Sequence, residues 1–130
     1  MRRQYHFQPS ERGLLAWDVH RLIEAARGLP VTKVPLDQIR EIDEVYWFDD
    51  GDERPTCRKV LLHLRLIEEA SLEHPILLAS DGRVMDGMHR VAKALREGRA
   101  DIAAIRFETD PPPDHVGVAP ADLSYEERDG

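Results

Sequence analysis

Cysteine is almost missing from this chain: Cys57 stands alone among 130 residues, so no internal disulfide can form and nothing points to a secreted, stapled scaffold. Long apolar runs are missing too. The opening Met1-Arg2-Arg3-Gln4-Tyr5-His6 has no apolar stretch of signal-peptide length, and no run approaches a membrane span, so the expectation is a cytoplasmic protein without membrane partners. Positive charge is in deficit, 18 basic against 25 acidic side chains for a net charge of -7, which argues against general binding to a nucleic-acid backbone. A local basic patch of Arg90, Lys93, Arg96 and Arg99 remains open. No internal repeat is present. What remains is a 130-residue chain with 42% hydrophobic content, enough for one domain with one modest core.

The densest run of signals lies between Pro75 and Phe107, PILLASDGRVMDGMHRVAKALREGRADIAAIRF. Ile76 to Ala79 reads as a short strand, Ser80-Asp81-Gly82-Arg83 carries the Asp-Gly signal of a hairpin turn, and Val84-Met85 begins the returning strand. From Asp86 the period changes to 3.6, with Met88, Val91, Ala94 and Leu95 on one face. Asp86 suits an N-cap and Gly98 the residue past the C-terminus, which predicts a helix over Gly87 to Glu97. Ile102 to Phe107 follows as a strand, parallel to an earlier one because a helix separates them. A helix opening at Gly87 presents unpaired N–H groups and a positive helix end to an anion, and Arg90 adds a forked cation one turn in. The plainer alternative is that Asp86 merely caps, Gly87 merely turns, and His89 and Arg90 are solvated.

This order of strand, Asp-Gly turn, strand ending in Asp86-Gly87-Met88-His89-Arg90, helix and closing strand resembles the ParB/sulfiredoxin superfamily. Val31-Thr32-Lys33-Val34-Pro35-Leu36-Asp37-Gln38-Ile39 is similar to that superfamily's opening strand and Pro-Leu-x-x-Ile element, and the likeness spans residues 30 to 107. The resemblance implies a phosphate-binding box at Gly87, Met88, His89 and Arg90, supported by Asp86, and a nucleotide ligand (ATP, ADP or CTP, with or without Mg) or another small phosphate ligand. Members include partition proteins, sulfiredoxins and free serine kinases. Sulfiredoxins carry a reactive cysteine where this chain has Met88, whose thioether cannot form a thiolate, so that activity is not expected. Partition proteins continue into a DNA-binding region and a dimerising end, neither of which is read in these 130 residues, so a partition role is not expected.

Elsewhere the signals are plainer. Residues 1–12 are polar and read as a loose N-terminus. Leu15, Val19, Leu22, Ile23 and Ala26 recur at helical spacing and predict an amphipathic helix stopped by Gly28-Leu29-Pro30. Val31 to Leu36 reads as the first strand, with Pro35 marking its end or an edge. Glu41, Asp43 and Glu44 crowd ahead of Val45-Tyr46-Trp47-Phe48, an aromatic run better read as core than as a stacking surface. Asp49 to Glu53 reads as a solvated acidic turn without calcium-loop spacing. Pro55 to Ala70 predicts a second helix with Cys57, Val60, Leu61, Leu64 and Ile67 on one face and Leu62 and Leu66 opposite, so it must be sandwiched or form a subunit interface, which leaves a homodimer open. Cys57 reads as a buried small hydrophobe. His63 lies off both stripes, and no histidine pair has trustworthy metal-ligand spacing. After Phe107 a Pro-rich acidic tail, 108–130, is expected to be a loose arm or to dock.

The expected fold is therefore a small α/β (α+β) domain over residues 13–107, a mixed sheet with packed helices of the ParB/sulfiredoxin kind. Two functions follow. One is a nucleotide-binding protein resembling the free serine kinases, in which Gly87 to Arg90 hold phosphates and a carboxylate near Glu41 takes the acceptor's proton, Glu41, Asp43 and Glu44 all lying where the resemblance places such a group. The other is a non-catalytic binding or adaptor module with a partner-binding helix. A nuclease, which needs a basic channel, fits the acidic balance worst.

Overall fold

Three helices and two open sheets give this chain a small α+β fold, and the computed structural model describes residues 4–48 and 54–123. Contacts divide it into two compact units, Pro30–Glu108 and a second made of Met1–Leu29 with Thr109–Gly130.

In the unit that holds both ends of the sequence, β1 (Tyr5–Gln8) and β7 (His115–Val116) pair antiparallel on either side of β2 (Leu15–Asp18). Asp18 ends β2 and caps α1 (Val19–Ala26), its Oδ1 accepting from the His20 N–H at 2.9 Å. The predicted helix from Leu15 thus begins four residues late. Ala16, Trp17 and Asp18 are consecutive buried residues, a pattern that a one-stripe surface helix cannot bury but a strand paired on both edges can. Residues 1–12 are likewise not loose where described, since Tyr5–Gln8 is in register with β2. The Pro-rich stretch belongs to the same unit: the Trp17 indole N–H donates to the Pro111 carbonyl at 2.7 Å, and Asp114 accepts from the Asp18 N–H and pairs with Arg21. Tyr125, Glu126 and Glu127 lie outside the described residues, as does the acidic turn at Asp49 to Glu53.

The unit Pro30–Glu108 is built on a four-stranded sheet of order β3-β6-β4-β5, where β3 is Thr32–Pro35, β4 Ile76–Leu78, β5 Val84–Asp86 and β6 Asp101–Arg106. Its bounds nearly coincide with the stretch 30–107 that carries the family resemblance, and the first helix falls outside it. β4 runs parallel to β6, with α3 (Met88–Arg96) between β5 and β6 in sequence; β3 and β5 are antiparallel to their neighbours. The β4–β5 hairpin turns through Ser80 and Asp81 with Gly82 at φ +89, the left-handed residue that closes a three-residue loop. Ile76, Leu78, Val84, Met88, Val91, Ala94, Ile102 and Ala104 form the core between sheet and α3, with Leu36 from the short 3-10 segment Leu36–Gln38 and Ile39, which joins it to a second, Arg40–Asp43.

The helix α2 (Cys57–Glu69), capped by Thr56, has no buried residue. Only Lys59, His63, Ile67 and Ala70 are half-buried, and they lie at helical spacing along one side. Of the two apolar faces predicted for it, Val60, Leu61 and Leu64 on one and Leu62 and Leu66 on the other are exposed, and so is Cys57, which is therefore not a buried hydrophobe. The helix is seated by α3: the Lys93 ammonium donates to the carbonyls of Glu68 and Ala70, and Arg96 pairs with Glu68 at 3.1 Å. A lysine on the last free carbonyls of a helix satisfies groups that have no partner inside it.

Candidate functional site

Asp86, Gly87, Met88, His89 and Arg90 come together where β5 hands over to α3, with roles that differ from those the sequence suggested. Asp86 does not cap the helix. Gly87 is the N-cap residue, at φ +105, and makes no side-chain cap hydrogen bond. The Asp86 carboxylate is taken instead by Arg90, at 2.9 Å across one helical turn, with both side chains about four-fifths buried. A Cβ at residue 87 would stand 2.7 Å from the Arg90 Nη2 and 2.7 Å from the Ile76 Cγ2, so glycine is required both by its φ and by the guanidinium lying against it. Arg90 Nε is buried with no hydrogen-bond partner. The Met88 side chain belongs to the core, so it is not a phosphate-contacting group.

His89 sits in an aromatic cluster that no single stretch of the sequence announces. Its Nε2 is 2.9 Å from Nδ1 of His63 on α2, and the two imidazoles are within 17° of one plane with centroids 5.1 Å apart. Each also stacks on the Trp47 ring at 4.6 Å. Rings on opposite faces of an indole would be farther apart than this, so both imidazoles share one face. Phe48 meets His63 edge-on, while Tyr46 and Trp47 pack against the core. The predicted aromatic run is thus core on one side and an imidazole platform on the other. Burial, the neighbouring His63 and the positive Arg90 together push the His89 pKa down to about 4, against a smaller opposing pull from Asp86. His89 is neutral at pH 7 and can give or take a hydrogen bond, leaving Arg90 as the fixed cation of the box. His63 escaped the sequence reading because its neighbours on the helix stripe, Lys59 and Ile67, do not share its chemistry.

Glu41 differs from the acidic residues beside it. Asp43 and Glu44 are exposed, whereas Glu41 is only 5% exposed, and its Oε2 accepts from the Val84 N–H at 2.6 Å. Val84 opens β5, the edge strand of the sheet, so the carboxylate occupies a ladder position with no neighbouring strand. Its Oε1 is buried without a partner, an acceptor that a hydroxyl, an amine or a water would satisfy.

Among the described residues, no group of three or more His, Cys, Asp or Glu side chains is arranged to hold a metal ion, and no helix is long and apolar enough to cross a membrane. No family model, curated protein or solved structure matches the chain. The likeness to the ParB/sulfiredoxin superfamily accordingly rests on the sequence elements at 31–39 and 86–90.

Proposed function

We propose that this chain binds the phosphate groups of a nucleotide at the start of α3. The observation that carries the reading is the uncapped, left-handed Gly87 with the Arg90 guanidinium laid against it. The Arg90 N–H turns back to the Gly87 carbonyl at 2.9 Å, and the cap residue has no side chain to accept from the Met88 and His89 N–H groups, so an anion there would complete their hydrogen bonding and meet the positive helix end. Arg90, with Nε unpartnered, adds a charge-assisted donor, and neutral His89 adds a hydrogen bond rather than a charge. Magnesium, where present, would come with the phosphates, since the carboxylate beside the box, Asp86, is engaged by Arg90.

The finer reading is a small-molecule phosphotransferase resembling the free serine kinases. Glu41 is its base: of the carboxylates between residues 41 and 44 it is the buried one, and its unpartnered Oε1 suits an acceptor hydroxyl. A non-catalytic binding module is the second reading, favoured by the uncovered α2.

The test is a melting-temperature panel with CTP, ATP, ADP and GTP, with and without magnesium, because a ligand that binds only the folded state must stabilise it. Arg90→Lys keeps a charge opposite Asp86 but loses the fork, so it should erase the nucleotide-induced shift while melting close to wild type when unliganded. If no nucleotide shifts the wild-type transition, the proposal fails. Phosphate release or transfer to small hydroxyl acceptors, stopped by Glu41→Gln while the nucleotide shift persists, separates the phosphotransferase from the binding module.

A further inference from the structure

Two surfaces of the unit Pro30–Glu108 lie outside the candidate site, and their chemistry is complementary. The first is the outward face of α2, where Arg58, Leu61, Leu62 and Arg65 follow one another at i, i+3, i+4 and i+7. Leu61 and Leu62 are both more than half exposed. The two arginines are about 10.5 Å apart along the helix axis, at 1.5 Å per residue. Among the described residues Arg65 makes one ion pair, to the exposed Glu69 at 3.5 Å, a contact that solvent screens and a better partner replaces.

The second surface is a cleft of about 620 Å³ between the 3-10 segments and the end of α3. Leu36, Ile39 and Ile42 floor it, Leu95 rims it with half its surface exposed, and Asp37 and Asp43 stand over it without ion pairs or hydrogen bonds among the described residues. Arg99 also lines it, paired with Glu97 at 3.0 Å. Leucines left in water and carboxylates left unpaired at the same cleft mark a surface that gains by being covered.

We propose that these surfaces bind each other between two copies of this chain, α2 of each copy lying in the cleft of the other about a twofold axis. The apolar floor receives Leu61 and Leu62, and the two aspartates receive the two arginines. Within one copy α2 does not fill the cleft, because Lys93, Arg96 and His89 hold it on another side of α3, about 100–160° around the helix from Leu95. A helix in a groove, exchanged reciprocally, closes at two subunits and leaves no further copy to recruit.

The experiment is a charge swap read by sedimentation velocity on the full chain. Wild type should sediment as a dimer at hundreds of micromolar. Asp37→Arg with Asp43→Arg should sediment as a folded monomer, and so should Arg58→Asp with Arg65→Asp. An equimolar mixture of the two variants should recover the dimer, since each helix then meets a cleft of opposite sign. All four positions are exposed, and circular dichroism checks that each variant is folded; should either fail, the single chain carrying all four changes restores both contacts and should dimerise by itself. A wild type that stays monomeric overturns the proposal, and so does a dimer that either pair of reversals leaves intact, which would assign association to another surface.

Discussion

At the scale of single residues, the clearest consequence lies with His89, because its neutrality is imposed by its surroundings. In the unfolded chain it takes up a proton near the ordinary value of 6.5, whereas in the folded protein it holds out to about 4. Between these values the unfolded state binds more protons, so stability rises with pH across the window. His89 therefore contributes its full stability above pH 6.5 and loses it as the pH falls toward 4. Urea titrations across this range should show wild type losing stability faster than His89→Phe, which keeps a ring to stack on Trp47 but has nothing to protonate. Equal losses in the two proteins would mean that His89 titrates normally. Trp47 offers an independent readout: in a Trp17→Phe background it is the remaining tryptophan, and protonation of the His89 imidazole against its face should quench its emission as the pH falls.

At the scale of elements, the hairpin β4–β5 and the helix α3 were legible because their signals are local: an Asp-Gly turn, a period of 3.6 and a glycine stop lie within a few residues of what they control. The box residues were legible for the same reason, but their roles were not. Asp86 has the composition of a cap, and its engagement with Arg90 depends on the left-handed turn at Gly87, which no propensity encodes. Leu15 to Asp18 shows the opposite failure. Its residues fit a helical stripe, and only strands far away in sequence, Tyr5–Gln8 and His115–Val116, make it a strand. Glu41 is a third kind, a residue whose place was indicated by resemblance and whose contact had to be seen. As the acceptor for the Val84 N–H on an edge strand, it braces β5 from the 3-10 segment Arg40–Asp43. Removing it in Glu41→Ala leaves that N–H unsatisfied and a cavity beside it, so stability should fall by roughly 1–3 kcal/mol. Amide exchange at Val84 should quicken more than at Leu78 in the neighbouring strand. An unchanged exchange rate at Val84 would show that the carboxylate does not brace the strand.

At the scale of the molecule, one domain was expected from 130 residues, and contacts divide the chain into two compact units. The cause is the return of residues 109–123 to strand β2, where Asp114 and the Pro111 carbonyl satisfy Asp18 and Trp17. A segment rich in proline looks like an exit from the fold because it cannot donate along a ladder, yet its carbonyls accept as well as any. The core of the other unit draws all its residues from the interval 30–108, including the whole β4–β5–α3–β6 segment that carries the box. That interval expressed alone should therefore fold: it should melt cooperatively, keep the near-ultraviolet signal of Trp47 stacked on His63 and His89, and respond to nucleotide as the full chain does. Separate tryptophans make the independence measurable in the intact protein as well. With Trp17 in one unit and Trp47 in the other, Trp17→Phe and Trp47→Phe variants report the two unfolding transitions individually. Midpoints that separate in urea would show two cooperative units. Midpoints that coincide, together with a fragment 30–108 that fails to melt cooperatively, would show instead that the two cores fold as one.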